Sequence, residues 1–275
     1  MAIIARRQNR NLKQLFHIKQ GSSVSGQQSL SIRLGERHVC FAISNKAGSE
    51  LFELGYCSTG SWNEKELSGL LANYPSLGNS FYECQVVYDF PQAMFTPTGK
   101  EDVAVLVNGN ENAGSNIITE QVPGWQFNNI YAVRKDIQHW FTQKFPTAKF
   151  RHQYSLGVKM MDITGEAGSL MVDFRKDDLT VMAAKKGKLL LAQTFPYSTP
   201  DDVLYYLLKI CQRFDLSQQA VELSLSGLID RQSSLYRELY QYFIQIRFRD
   251  AEWNTGKEYP AHFFTSLNDL AKCAS

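Results

Sequence analysis

The chain has 275 residues, with 29 Lys and Arg against 27 Asp and Glu. That length can bury one large core or the cores of two similar lobes, and the near-neutral balance gives no global field that would recruit nucleic acid or anionic membrane. Five widely spaced cysteines, Cys40, Cys57, Cys84, Cys211 and Cys273, form no C-x-x-C pair, which argues against a disulfide framework and a thiolate zinc site and for the reducing cytoplasm. There is no run of about 18 apolar residues and no apolar secretory stretch at the N-terminus, so no membrane span is expected.

Arg6, Arg7, Arg10, Lys13 and Lys19 precede the first acidic residue, Glu36. With the linker-like Gly21 to Gly26 they read as a basic N-terminal arm over residues 1–28; a transit peptide or an anionic-surface contact is the other reading. Alternating apolar residues then predict three strands, Leu30 to Leu34, Val39 to Ile43 and Leu51 to Leu54, punctuated by Gly35 and Gly48. Asn63 caps a predicted helix through Leu67, Leu70 and Leu71 that ends before Pro75, and Cys84 to Tyr88 is the next strand.

A polar insertion from Asn108 to Ser115 follows, then an Ile117-Ile118 segment. A strand from Asn129 to Val133 leads into a helix burying Ile137, Trp140 and Phe141. A first lobe is expected over 29–152, and a helix from Gln153 to Met161 would connect it to a second lobe over 153–275.

The second half repeats the order. Strands are predicted over Leu170 to Asp173, Leu179 to Ala183 and Leu189 to Phe195. Next comes a helix capped by Thr199, with Pro200 at its first position and Asp201 and Asp202 in its first turn. A strand from Val221 to Leu225, a Ser226-Gly227 turn, a helix over Leu235 to Leu239, a strand from Ile244 to Phe248 and a helix from Phe264 to Ala271 complete it. Each half thus reads βββαβαβα, an α/β architecture.

Two such lobes in tandem resemble the actin-like ATPases, whose lobes are ribonuclease H-like. Leu30-Ser31-Ile32-Arg33-Leu34-Gly35 looks like their first phosphate hairpin. Val172-Asp173-Phe174-Arg175, with Thr180 downstream, looks like the second, and Leu225-Ser226-Gly227-Leu228 looks like the adenosine turn. The chain also resembles a family of Bacteroides-type bacteria assigned this fold and, more remotely, actin-like scaffold proteins of pilus assembly and type II secretion. The resemblance implies nucleotide contacts at Gly35, Asp173, Thr180, Ser226 and Gly227.

It also exposes departures. Magnesium needs oxygen ligands, yet Arg33 stands where the superfamily has a metal-organising carboxylate, and a guanidinium can only pair with phosphate or carboxylate. Arg175 stands where a glycine would let backbone amides approach phosphate. Bound ATP with magnesium therefore remains conceivable, but hydrolysis is not expected, and no other cofactor or metal is indicated.

His17, His38, His139, His152 and His262 lie in unrelated segments with no G-x-S-x-G elbow, so they read as surface or packing residues. Lys185, Lys186 and Lys188, and Arg231, Arg247 and Arg249 beside Tyr236, Tyr240, Tyr242 and Phe243, could form a basic, aromatic surface for RNA or an acidic tail. The expected function is a non-catalytic scaffold or adaptor with a protein partner. A divergent ATPase or small-molecule kinase, and an RNA-associated module, are the alternatives.

Overall fold

The computed structural model describes residues 12–20, 27–99, 114–256 and 258–273. Arg6, Arg7, Arg10, the Gly21 to Gly26 linker and most of the Asn108 to Ser115 insertion lie outside them. The strands are β1 (Lys13–Lys19), β2 (Gln28–Gly35), β3 (His38–Asn45), β4 (Leu51–Ser58), β5 (Glu83–Asp89), β6 (Ala93–Pro97), β7 (Ser115–Gln121), β8 (Phe127–Arg134), β9 (Lys149–His152), β10 (Ser169–Phe174), β11 (Asp178–Lys185), β12 (Lys188–Pro196), β13 (Glu222–Gly227) and β14 (Gln245–Phe248). The helices are α1 (Glu64–Asn73), α2 (Lys135–Lys144), α3 (Gln153–Met160), α4 (Pro200–Phe214), α5 (Ser234–Tyr242) and α6 (Thr265–Lys272).

Two sheets carry the molecule. The first has the order β1-β4-β3-β2-β5-β9 and the second β12-β11-β10-β13-β14. In each, an antiparallel meander is extended by two parallel strands: β2 pairs with β5 and β5 with β9, as β10 pairs with β13 and β13 with β14. The two-lobed reading of the sequence is what the sheets display. Their hairpins also match: Arg33 faces Cys40 across β2 and β3, and Asp173 faces Thr180 across β10 and β11, the same distance along the chain. By that register Arg33 is the counterpart of Asp173, and Gly35 of Arg175.

Three expectations need correction. The strand at 129–133 does not extend the first sheet: as part of β8 it is the centre of a separate antiparallel sheet ordered β6-β8-β7. The fifth strand is the four-residue β9, whose Lys-Phe-Arg-His sequence carries too little alternation to be read as a strand. Finally, residues 13–19 are not a loose arm but an edge strand on β4, and Gln28 already opens β2.

The helices interleave the lobes. α1 and α2 cover the outer face of the first sheet through Leu67, Leu70, Ile137 and Phe141, and α4 and α5 cover the second through Val203, Leu207, Leu235 and Leu239. α3 lies between the lobes, with Leu156 against Val87 of the first sheet and Val158 in a cluster with Met182 and Ala184 of the second. α6, from the C-terminal segment, buries Leu267, Leu270 and Ala271 with Cys40, Ala42 and Leu54 of the first sheet. That docking depends on Gly48: its φ is +68°, a Cβ there would stand 2.7 Å from the Ala271 backbone, and its carbonyl accepts from Trp253 and Asn268.

His152 ends β9 and caps α3. Its Nδ1 accepts from the Tyr154 amide at 3.2 Å and its Nε2 donates to the Phe90 carbonyl at 2.9 Å, which specifies the neutral Nε2–H ring. Complete burial lowers its pKa to about 4.

Candidate functional site

The two counterpart hairpins face each other between the lobes, and the side chains that meet there are charged. Arg33 on β2 is 6 % exposed. Its Nη2 lies 2.7 Å from Asp89 Oδ2 at the end of β5 and 2.7 Å from Asp173 Oδ2 on β10, and donates to Gln153 Oε1 at 2.8 Å; Nη1 donates to Ser266 Oγ. Arg175, 3 % exposed, extends the same array from the other lobe. Its Nη1 lies 3.4 Å from Asp89 and 3.7 Å from Asp173, its Nη2 donates to Thr180 Oγ1 at 2.9 Å, and its Nε pairs with Asp178. His38 Nε2 reaches Asp89 at 3.1 Å.

The array is reciprocal: the arginine of each lobe pairs with an aspartate of the other. Isolated charges at such depth would cost many kcal/mol, so burial is tolerable only because each is answered by an opposite charge. Arg33, Arg175 and Asp173 also have neutral partners, whereas Asp89 Oδ1 and Arg33 Nε are buried without a hydrogen-bond partner among the described residues. Burial would raise the Asp89 pKa, but the guanidinium groups of Arg175 and Arg33 and the His38 contact outweigh it and hold the carboxyl well below the usual range. Burial likewise opposes charge on Arg33, and Asp173 and Asp89 reverse that effect.

Each residue matched to a nucleotide motif has a partner within the protein. Asp173 Oδ1 accepts from Ser226 Oγ at 2.8 Å. Thr180 Oγ1 accepts from Gln153 Nε2 and lies 2.9 Å from Thr194 Oγ1. Gly227, at φ +80°, lies so close to β10 that a Cβ would stand 2.1 Å from the Phe174 carbonyl oxygen, and the Leu228 amide donates to that oxygen at 2.8 Å. Its glycine character is accounted for by this backbone approach. A Cβ on Gly35 would stand 2.1 Å from the His38 ring, so this glycine makes room for the imidazole that reaches Asp89.

The remaining space beneath the array is a cavity of about 50 Å³, bounded by Arg33, Asp173 and Arg249 and by Met160, Met171 and Met182. Cofactor sites run to roughly 300–1,000 Å³, whereas this volume suits a few waters. No group of three or more His, Cys, Asp or Glu that could hold a metal occurs among the described residues. The side chains of the array thus fit mutual ion pairing, and the cavity beneath them is too small for a magnesium–triphosphate.

Sequence reasoning singled out Arg33, Asp173 and Arg175 but missed Asp89, His38 and Gln153. A carboxylate directly after the apolar run Cys84 to Tyr88 was the available signal for Asp89. The basic patches proved to be largely neutralised: Lys185 pairs with Asp215, Lys186 with Glu166, Arg247 with Glu222 and Arg249 with Asp269, while Arg231 lies over the Phe248 ring. No helix among the described residues is long and apolar enough to cross a membrane.

Three solved structures share this architecture. A Bacteroides thetaiotaomicron protein, described as having an actin-like ATPase fold and unknown function, is 20% identical, with 90% of this chain and 97% of that one covered at a TM-score of 0.71. The PilM–PilN type IV pilus biogenesis complex matches at 10% identity, 90% and 98% coverage and a TM-score of 0.53. The ethanolamine utilization protein EutJ of Carboxydothermus hydrogenoformans matches at 8%, 91% of each chain and 0.52. Among curated proteins no significant match is found. At these identities the structures establish the two-lobed actin-like ATPase fold, and the match of residues 20–246 to a family model places the chain in the family described as protein of unknown function (DUF3822).

Proposed function

We propose that this chain is a non-catalytic, cytoplasmic scaffold or adaptor, an actin-like body that holds its lobes together with its own charges and works through contact with another protein. The observation that carries the proposal is the reciprocal array of Arg33, Asp173, Arg175 and Asp89, which fills the space between the lobes with side chains. Phosphoryl transfer relies on positioning and charge neutralisation around magnesium and phosphate. Arg33 and Arg175 occupy the carboxylate and glycine positions that would supply them. Losing about 3 kcal/mol of transition-state stabilisation already slows a reaction more than a hundredfold.

The pilus neighbour lends support of a coarser kind, since its name describes a protein in complex with a partner. The test is steady-state phosphate release by pure protein with magnesium and ATP, beside an Asp173→Ala variant. Background release from both is expected; robust turnover abolished by the substitution would replace the scaffold with a divergent ATPase.

A further inference from the structure

On the outer side of the two hairpin turns lies a groove of about 330 Å³, and none of the five residues matched to nucleotide motifs lines it. Its walls come from three places: Lys13 on β1; Arg37 and the β4 end, Ser58 to Gly60; and Lys176, Asp177 and Asp178 in the β10–β11 turn. His38, Tyr56 and Arg175 lie deeper along it. Lys13, Arg37 and Lys176 are exposed and form no ion pair among the described residues. Of the acids, Asp178 is taken by Arg175, which leaves Asp177 as the groove's one uncommitted carboxylate against three uncommitted cations.

Tyr56 is 6 % exposed and its hydroxyl has no hydrogen-bond partner among the described residues. Its ring packs edge-on against Phe16 and stacks on His38, so this side chain forms part of the groove's closed floor.

We infer that this groove docks an acidic peptide segment of a protein partner, with its carboxylates paired with Arg37, Lys176 and Lys13. The cations come from three separate segments, on long flexible stems, which suits a run of single carboxylates. The Asp177 carboxylate in the wall opposes a compact doubly charged phosphate more than a single carboxylate. The inference rests on the scaffold reading and names the chemistry of its partner.

The experiment is anisotropy of a labelled Glu/Asp-rich peptide titrated with the full chain, with a Gln/Asn peptide, inorganic phosphate and ATP as comparison arms. Saturable binding of the acidic peptide alone is expected. Arg37→Glu with Lys176→Glu should weaken it at least tenfold, whereas Lys188→Glu, far along the second sheet, should change it less than twofold. Absence of binding, equal binding by the Arg37/Lys176 variant, or equal loss with Lys188→Glu would overturn the groove as an acidic-peptide site. Displacement by phosphate or ATP at comparable concentration would overturn the choice of ligand. Catalytic turnover would instead sink the scaffold reading, so the two failures are distinguishable.

Discussion

The two lobes place opposite charges at one topological position. Arg33 on β2 and Asp173 on β10 are counterparts by hairpin register, and they meet each other at 2.7 Å. A duplicated fold with like residues at both positions would set two carboxylates face to face, and a cation would be needed to hold them together. With one of each, the lobes close on themselves. The remaining differences follow suit: Gly35 in the first lobe leaves room for His38, while its counterpart Arg175 fills the corresponding space in the second.

The comparison breaks most severely at Asp89, which both arginines share. Asp89→Asn removes the charge that answers two buried guanidinium groups, and a loss of about 3–5 kcal/mol is expected in urea unfolding. A loss under about 1 kcal/mol would mean that the array contributes little to holding the lobes.

His152 provides a pH-dependent effect at the start of the helix between the lobes. Its folded pKa of about 4 lies below the ordinary 6.5, because burial disfavours the charged ring. The unfolded chain therefore binds a proton that the folded chain refuses. Stability is complete above about pH 6.5 and falls as pH drops toward 4, by about 3 kcal/mol in all. Unfolding free energies across that range should show the slope in the native chain and a shallower one in His152→Gln.

The counterpart relation itself is sharpened by exchange. Arg33→Asp and Asp173→Arg should each destabilise, since each sets like charges together at the Arg33–Asp173 contact, and the double variant should recover about 2 kcal/mol beyond additivity. Additive losses would show that the pair acts through its surroundings rather than through the contact. A smaller effect is expected at Asp178, whose side chain is one-third exposed: Asp178→Asn should cost about 1 kcal/mol or less.

Much of this was legible in the sequence. The meanders, the Thr199 cap and the glycine turns follow from local patterns, and the cap forms the expected capping box with Asp202. What was illegible depended on pairing at a distance. β9 is a strand because β5 offers it an edge, and β8 left the main sheet because β6 and β7, which flank it, pair with it instead. At the site, Arg33 and Arg175 stood out as departures from a motif, but their ion pairing required Asp89, a residue no motif marks. Whether Arg33 faced solvent or a carboxylate was open from alternation alone, because β2 is covered on both faces and its polar residues have no wet side.

The direct test is the distance between the lobes. Spin labels at Ser68→Cys on α1 and Gln212→Cys on α4, both exposed, with Cys273→Ser and the four buried native cysteines left in place, report it by pulsed dipolar spectroscopy. If charge pairing holds the lobes together, one narrow distribution should appear and stay unchanged with millimolar magnesium and ATP, and Asp89→Asn should broaden it. A distribution that is broad in the native chain and narrows on adding nucleotide would contradict the account.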